Sequence, residues 1–148
     1  MTRINCVPPQ ELHDRHLVAE YHELPRIFAL VKKAIAKGHK AKNYLEAYPE
    51  YVMGTGHVKF FYARLKYAAE RQIDLIAEMV ARKMRPKYDH FSMLTFGIPP
   101  EWFNDWEPDE RALELNRARL ADRLEEMKRK PKRKVITVYN EKEFENEK

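Results

Sequence analysis

The chain has 148 residues, a net charge of +5 and 34% charged residues, with only four glycines and one cysteine. This length allows one hydrophobic core, and the composition argues against a β-sandwich, a disulfide scaffold and a multi-thiolate zinc site. No run approaches the roughly 18 apolar residues of a membrane span, and the first residues lack the apolar stretch of a signal peptide. We therefore expect one compact all-α domain that is intracellular, monomeric and free of membrane contact.

The first predicted helix runs from about Pro9 to Ala36 and is followed by a glycine stop signal. Pro25 lies inside it and removes an amide from the hydrogen-bond ladder, so we expect a kink there. Apolar residues recur every three or four positions and should form the stripe that faces the core: Leu17, Tyr21, Leu24, Phe28, Val31 and Ile35.

The polar side of this helix carries candidate functional residues. Spacings of seven and three residues predict that His16, Glu23 and Arg26 project in nearly the same direction and form one patch. His13, His16 and Glu20 also have a spacing that could hold a metal ion, but such residues are common on polar helix surfaces, and we expect no metal site.

Two further helices complete the predicted fold of three main helices with irregular connecting loops. Residues 37–53 show no clear periodicity and are predicted to be irregular. Gly54-Thr55-Gly56 then opens a central helix that ends near Met84. Residues 88–106 are rich in aromatics and prolines and should form a loop whose aromatics are mostly in the core. A third helix is predicted from Pro108-Asp109-Glu110 to about Met127.

Residues 128–148 differ in composition from the helical domain that we assign to residues 1–127. Six positive charges fall within seven residues, at Lys128, Arg129, Lys130, Lys132, Arg133 and Lys134. A strand-like stretch from Val135 to Tyr139 and an acidic end follow. A basic run of this kind favours polyanions through counterion release, and an ordinary solvated tail is an equally good interpretation.

The start of the chain suggests a reaction that needs no cofactor. An α-amino group has a pKa of about 7.7 to 8.0, so part of it is an uncharged nucleophile near neutral pH. Such an amine on Thr2 could attack a sugar C1′, displace a base and leave a Schiff base, which eases loss of a C2′ proton and cleavage of the 3′ phosphate ester. Glu23 could shuttle protons, and Arg3 and Arg26 could hold phosphates. These residue types are common, so their spacing alone leaves the hypothesis open.

A glycine-flanked turn supplies a second candidate contact. Thr55 and His57 could meet a phosphate at the start of the second helix, and capping of that helix is an equally good interpretation.

Short segments along roughly residues 1 to 125 resemble a known family. They are Met1-Thr2-Arg3-Ile4-Asn5, His16-Leu17, Ala19-Glu20-Tyr21, Glu23-Leu24-Pro25-Arg26, Gly54-Thr55-Gly56-His57-Val58, Phe60-Phe61-Tyr62, Arg71-Gln72-Ile73, Leu75-Ile76-Ala77-Glu78 and Ala118-Arg119-Leu120. Together they are similar to the phage endonuclease V family of pyrimidine-dimer DNA glycosylases. The match is ungapped from the N-terminus through Arg26.

This resemblance implies a small helical enzyme without a cofactor. It would excise UV-induced cyclobutane pyrimidine dimers from duplex DNA and then cleave the strand by β-elimination as an abasic-site lyase. Thr2 matches the family's nucleophile, and Glu23 matches its required carboxylate. A bacterial or virus-infected cell is the setting that such an enzyme implies.

The resemblance also implies DNA contacts, with two departures. Arginines matching Arg3 and Arg26 bind the DNA backbone in the family, the residue matching His16 lines the site, and Arg119 and Arg123 stand at positions of basic DNA contacts. His22 stands where better-known members have arginine, which replaces a permanent cation with a group that is only partly charged at neutral pH. The family's aromatic C-terminal segment is not reproduced.

Two alternatives stay open at this point. The same mechanism could act mainly on oxidised or ring-opened purines, because the departures bear on lesion preference more than on reaction type. The chain could also be a non-catalytic helical DNA-binding module.

Overall fold

A computed structural model describes residues 4–87 and 91–129 of the chain. Within these ranges the backbone forms six α-helices, and its only extended pairing is an isolated bridge between Arg64 and Phe103, which confirms the all-α class. The helices are α1 (Asp14–Glu23), α2 (Arg26–Ala36), α3 (Ala41–Ala47), α4 (Leu65–Ala81), α5 (Phe91–Thr95) and α6 (Glu110–Arg129). Short 3-10 turns occupy Pro9–Glu11, Lys59–Phe61 and Pro100–Trp102.

The predicted first helix is divided in two at Pro25. Helix α1 ends at Glu23 and α2 begins at Arg26, because proline has no amide to donate to the Tyr21 carbonyl. The side-chain amide of Gln72, on α4, donates to that carbonyl instead, at 3.1 Å. We expected a kink within one helix, and the structure has a complete break, so the prediction of three main helices is wrong.

Four other predicted boundaries also differ from the structure. The first helix begins at Asp14 rather than near Pro9, because Pro9–Glu11 form a separate 3-10 turn. Helix α3 lies within residues 37–53, which were predicted to be irregular, and α5 lies within the predicted loop. The central helix begins at Leu65 rather than at residue 54. Gly54 and Gly56 have φ angles of 74° and 89°, which a right-handed helix cannot use, so these glycines form a turn. By contrast, α6 begins at the predicted position and ends two residues after the predicted Met127.

The core lies between α1, α2 and α4 and a group of aromatic side chains from residues 51–67 and 102–106. Helix α4 packs against α1 and against the Pro9–Glu11 turn. Phe28, Phe60, Phe61 and Trp102 are all at most 1% exposed. The aromatics of residues 88–106 are only partly in the core, because Phe96 is 82% exposed.

Several predictions concern residues outside the described ranges. These include Thr2 and Arg3, the end of the basic run from Lys130 onward, and the strand-like stretch from Val135 to Tyr139. Among the residues that the structure does describe, no helix combines the length and apolarity needed to cross a bilayer.

Candidate functional site

The first described residues, Ile4–Val7, form a buried non-helical segment held by hydrogen bonds to its backbone. The Ile4 amide donates to Nε2 of His57 at 2.8 Å, and the Tyr51 hydroxyl donates to the Ile4 carbonyl at 2.9 Å. The Tyr67 hydroxyl donates to the Asn5 carbonyl at 3.1 Å. Since the donors and acceptors come from residues far along the chain, tertiary packing fixes the course of this segment.

Asn116, on α6, clamps the same segment from the other side. It is fully buried, and its Oδ1 accepts the amides of Cys6 and Val7 at 2.7 and 3.1 Å. Its Nδ2 donates to Oδ1 of Asn5 at 2.8 Å. Both ends of the amide are therefore used, as burial of a polar side chain requires.

A buried ion pair joins the segment to α1 and α4. Arg71 and Glu20 are 5% and 1% exposed and are joined by two hydrogen bonds of 2.9 and 3.1 Å. Arg71 also donates to the Val7 carbonyl, and Glu20 accepts from Nδ2 of Asn5 at 2.8 Å. Burial alone would lower the pKa of Arg71, but the charge and hydrogen bonds of Glu20 raise it above its ordinary value. The Arg71 guanidinium thus stays charged inside the core.

The segment runs antiparallel to α1. At one end, the side chain of Asn5 donates to Glu20. At the other end, the guanidinium of Arg82 donates to the carbonyls of Pro9 and Gln10 and to the carboxylate of Asp14, which begins α1. Moving from residue 5 to residue 10 therefore follows α1 backwards.

Glu23 and Arg26 lie on the two sides of the break at Pro25. Nη1 of Arg26 is 3.0 Å from Oε2 of Glu23, and their side chains are 68% and 28% exposed. Glu23 has a further interaction besides this pair. These two members of the predicted patch are therefore in contact, although they belong to different helices.

His16 is half-buried on α1 and is not bonded to Glu23 or Arg26 in the described structure. Its pKa is lowered to about 4, first by burial and then by the positive charges of His13, Arg123 and Arg15. The imidazole is therefore neutral near pH 7. Because the charge of Arg123 lowers the pKa of His16, Arg123 on α6 lies near this part of α1.

The other predicted contact residues lie nearby on the same elements. His22 is half-buried and packs edge-to-face on Tyr21, with ring centroids 4.9 Å apart. Arg119 and Arg123 are one turn apart on α6, and Arg123 is 3.5 Å from Glu126. Asn116, Arg119 and Arg123 are spaced by three and four residues, so one face of α6 leads from the buried segment towards His16.

Two of the three residues with metal-ligand spacing, His13 and Glu20, are bonded to other groups. Nδ1 of His13 accepts the Arg15 amide at the start of α1, and both carboxylate oxygens of Glu20 are bound to Arg71. Among the described residues, no three histidine, cysteine or acidic side chains are grouped so that they could bind a metal ion.

His57 was interpreted from the sequence as a phosphate contact or as a cap of the second helix, and both interpretations are wrong. His57 is 1% exposed, and its ring nitrogens lie 2.8 Å from the Val52 carbonyl and from the Ile4 amide. It therefore neither faces a phosphate nor caps α4, which begins eight residues later. Thr55 is exposed in the preceding turn.

Sequence reasoning missed the buried polar residues that hold the N-terminal segment. A signal for them exists, because polar residues interrupt the apolar stripes of three helices. Glu20 lies between Leu17 and Leu24 on α1, Arg71 lies between Ala68 and Leu75 on α4, and Asn116 lies between Ala112 and Leu120 on α6. A polar residue at a core position is paired with another polar group, so each marks a contact that its own helix cannot supply.

A comparison with protein families places the first part of the chain in a described family. A family model described as pyrimidine dimer DNA glycosylase matches residues 1–92, which is more than half of the chain. The matched range includes the segment Ile4–Val7, the Glu23–Arg26 pair and His57. It leaves out α6, with Asn116, Arg119 and Arg123.

Proposed function

The chain belongs to the pyrimidine dimer DNA glycosylase family, and from this premise we propose that it excises UV-induced cyclobutane pyrimidine dimers through an imine on its own N-terminus. The nucleophile is the amine of Thr2 after removal of Met1, and the essential carboxylate is Glu23. Strand cleavage by β-elimination follows at the resulting abasic sugar.

The first step exchanges the base for the protein amine. The uncharged amine of Thr2 forms a bond to C1′ while the glycosidic C1′–N bond breaks, and the pyrimidine leaves with the bonding electrons and takes up a proton. Ring opening of the sugar and proton loss from nitrogen give a protonated imine. Glu23 stabilises the positive charge that develops on the sugar and exchanges protons with the reacting groups.

The second step breaks the DNA strand. The protonated imine withdraws electrons from C2′ and so lowers the barrier to removing a C2′ proton. The electrons of that C–H bond form a C2′–C3′ double bond, and the C3′–O bond breaks, which releases the 3′ phosphate. Water then hydrolyses the imine and returns the amine of Thr2 to its starting state.

The antiparallel course of residues 5 to 10 along α1 carries this proposal. Asn5 lies at the level of Glu20, whereas residues 9 and 10 lie at the start of α1. Three more residues of extended chain span at most about 10 Å, and Glu23 lies about 4.5 Å beyond Glu20 along the helix axis. The chain between Asn5 and Thr2 is therefore long enough for the proposed approach of the amine to the Glu23 carboxylate.

Cationic residues around this site are proposed to hold the DNA backbone. Arg26 is 68% exposed, so its guanidinium can exchange Glu23 for a phosphate when DNA binds. Arg119 and Arg123 on α6 and His22 on α1 are proposed to contact the DNA as well, as is Arg3, which lies outside the described residues, whereas His16 contacts DNA as a neutral group.

Trapping with borohydride tests the proposal directly. The protein is incubated with a duplex containing one cyclobutane dimer while the imine is reduced, and we expect a covalent protein–DNA species together with strand cleavage. Intact-mass measurement on the same sample confirms that Met1 is absent, and a sample with an acetylated N-terminus is the control. A non-catalytic binding module would give no adduct, and faster trapping on duplexes with oxidised or ring-opened purines would show that those lesions are the main substrate.

A further inference from the structure

We infer that His57 is a positioning residue for the reaction, because as a neutral imidazole it fixes the backbone from which the N-terminal amine extends. The inference rests on the proposed function, since it assigns a purpose to holding the chain terminus still.

The hydrogen bonds of His57 define its tautomer. Nδ1 lies 2.8 Å from the Val52 carbonyl, which can only accept, so Nδ1 carries the proton. Nε2 therefore has a free lone pair, and it accepts the Ile4 amide proton at 2.8 Å. A protonated imidazole would direct a second donor at the Ile4 amide and break this contact. Only the neutral Nδ1–H form fits both partners.

The contact fixes the chain close to the proposed nucleophile. The nitrogen of Ile4 is two residues from the amine of Thr2, and two residues of extended chain span about 7 Å at most. The Ile4 carbonyl is held as well, by the Tyr51 hydroxyl at 2.9 Å. Both polar backbone groups of Ile4 are therefore bonded, so the backbone two residues from the amine is held in place. Imine formation needs the amine near its attack position, and a displacement of about 1 Å can cost on the order of 100-fold in rate.

The surroundings of His57 hold its ring rigidly. The ring packs edge-to-face against Tyr51 and Phe61, with centroids 5.4 and 5.8 Å away. The turn before it requires the left-handed backbone of Gly54 and Gly56. A Cβ on Gly56 would also come within 3.1 Å of the Tyr48 ring. His57 is thus oriented before any substrate arrives.

Two substitutions separate positioning from stability. His57→Leu removes both hydrogen bonds, and His57→Gln retains a side chain that can accept from the Ile4 amide but cannot become a cation. The measurement is the rate of borohydride-trapped adduct on a duplex with a preformed abasic site, at saturating DNA. We expect His57→Leu to slow trapping by about 10- to 100-fold with little change in the Kd for the duplex, and His57→Gln to recover much of the rate.

The control variant is Leu75→Ala, which opens a cavity in the core beside α4 and keeps both hydrogen bonds of Ile4. Trapping rates are compared below the melting temperature of each folded variant. A wild-type rate in His57→Leu, or an equal loss in Leu75→Ala, overturns the positioning role.

A spectroscopic measurement is independent of activity. Nitrogen-15 NMR of the His57 ring should show a protonated Nδ1 and a non-protonated Nε2 coupled to the Ile4 amide. The opposite tautomer or a doubly protonated ring overturns the inference, even if trapping is efficient. If the wild-type protein has the expected tautomer but forms no adduct, the proposed function fails and the positioning role fails with it, while the geometry of the contact stands.

Discussion

At the scale of single residues, Glu20 and Glu23 differ because of their surroundings. They are three positions apart on α1, yet Glu20 is 1% exposed and bound to Arg71, whereas the side chain of Glu23 is 28% exposed beside the exposed Arg26. A carboxylate already neutralised by a buried guanidinium is a poor proton shuttle, while one at the surface can reach a substrate. The structure therefore favours Glu23 over Glu20 for the chemistry.

Glu23→Gln should abolish trapping and strand cleavage, with a loss of at least about 100-fold, because the amide cannot stabilise a cation or exchange protons. Binding of a dimer-containing duplex should be largely retained, as measured by fluorescence anisotropy. Glu70→Gln, an exposed change on α4, is the matched control. Cleavage by Glu23→Gln at the wild-type rate would rule out its assigned role.

His16 should give the protein a measurable pH dependence of stability. Its pKa in the folded state is about 4, below the ordinary value of 6.5, so between these values the unfolded chain binds a proton that the folded protein excludes. The free energy of unfolding should thus fall as the pH drops from about 6.5 to about 4. His16→Gln should remove about 1 kcal/mol of this fall, a figure reduced for the partial exposure of the ring. The free energy of unfolding of the wild type and of His16→Gln is measured by urea unfolding at several pH values in this range. The same pH dependence in both proteins would contradict the prediction.

At the scale of elements, buried polar contacts join helices that apolar packing alone would leave free to slide. The Glu20–Arg71 pair connects α1, α4 and the N-terminal segment, and Gln72 binds the carbonyl that Pro25 leaves without a donor. Both contacts are made by neighbouring residues of α4, Arg71 and Gln72, with the C-terminal half of α1, which also carries Glu23. They fix α1 against α4, so the orientation of Glu23 depends on them.

Arg71→Leu should lower the free energy of unfolding by about 3–5 kcal/mol, because it leaves the buried Glu20 carboxylate without its cation. Arg117→Leu is the matched control: its pair with Glu11 is 50% and 40% exposed, so solvent screens it and its loss should change stability little. Chemical denaturation of both variants provides the comparison. A similar decrease in the free energy of unfolding for the two variants would show that the buried pair stabilises the fold no more than the exposed pair does.

Gln72→Leu should destabilise the protein by about 1–3 kcal/mol, because the Tyr21 carbonyl loses its donor at the helix break. The double variant Gln72→Leu with Pro25→Ala should recover part of the loss, since alanine supplies the missing amide and allows α1 to continue into α2. Urea unfolding of the two single variants and the double variant measures this coupling. Strict additivity would contradict the explanation.

At the scale of the whole molecule, the proposed DNA surface combines residues from α1, α2 and α6. Arg26 begins α2, His16 lies on α1, and Arg119 and Arg123 lie on α6. Arg123 is near enough to His16 to lower its pKa, although α6 begins more than 70 residues after the end of α2. Binding at this surface should be governed by phosphate contacts and therefore by salt.

Arg26→Gln and Arg123→Gln should each reduce the slope of log K against log salt for duplex binding by about 0.9, the value for one phosphate contact. His16→Gln should leave the slope unchanged, because the pKa of about 4 leaves that ring neutral at pH 7. Arg117→Gln is the control, since two hydrogen bonds of 3.0 and 2.8 Å already bind its guanidinium to Glu11. An unchanged slope in both test variants would exclude this surface.

The sequence by itself determined the helical class, the limits of α6 to within two residues, the disturbance at Pro25 and the family. Periodicity and helix signals report on contacts within one element, and a matching N-terminal stretch reports on shared ancestry. For this reason Glu23 and Arg26 could be singled out without coordinates. Their pairing at 3.0 Å agrees with that choice.

Only the tertiary structure decided how the N-terminal segment is held. Its partners His57, Arg71 and Asn116 are separated from it by 53 to 111 residues along the chain, and no local pattern specifies which polar groups meet across such distances. The break at Pro25 was decided in the same way, because Gln72 stabilises the freed carbonyl from another helix. Buried polar groups need hydrogen-bond partners, and packing decides which groups are near enough to supply them. The position of the N-terminal segment Ile4–Val7 is therefore set by the tertiary structure.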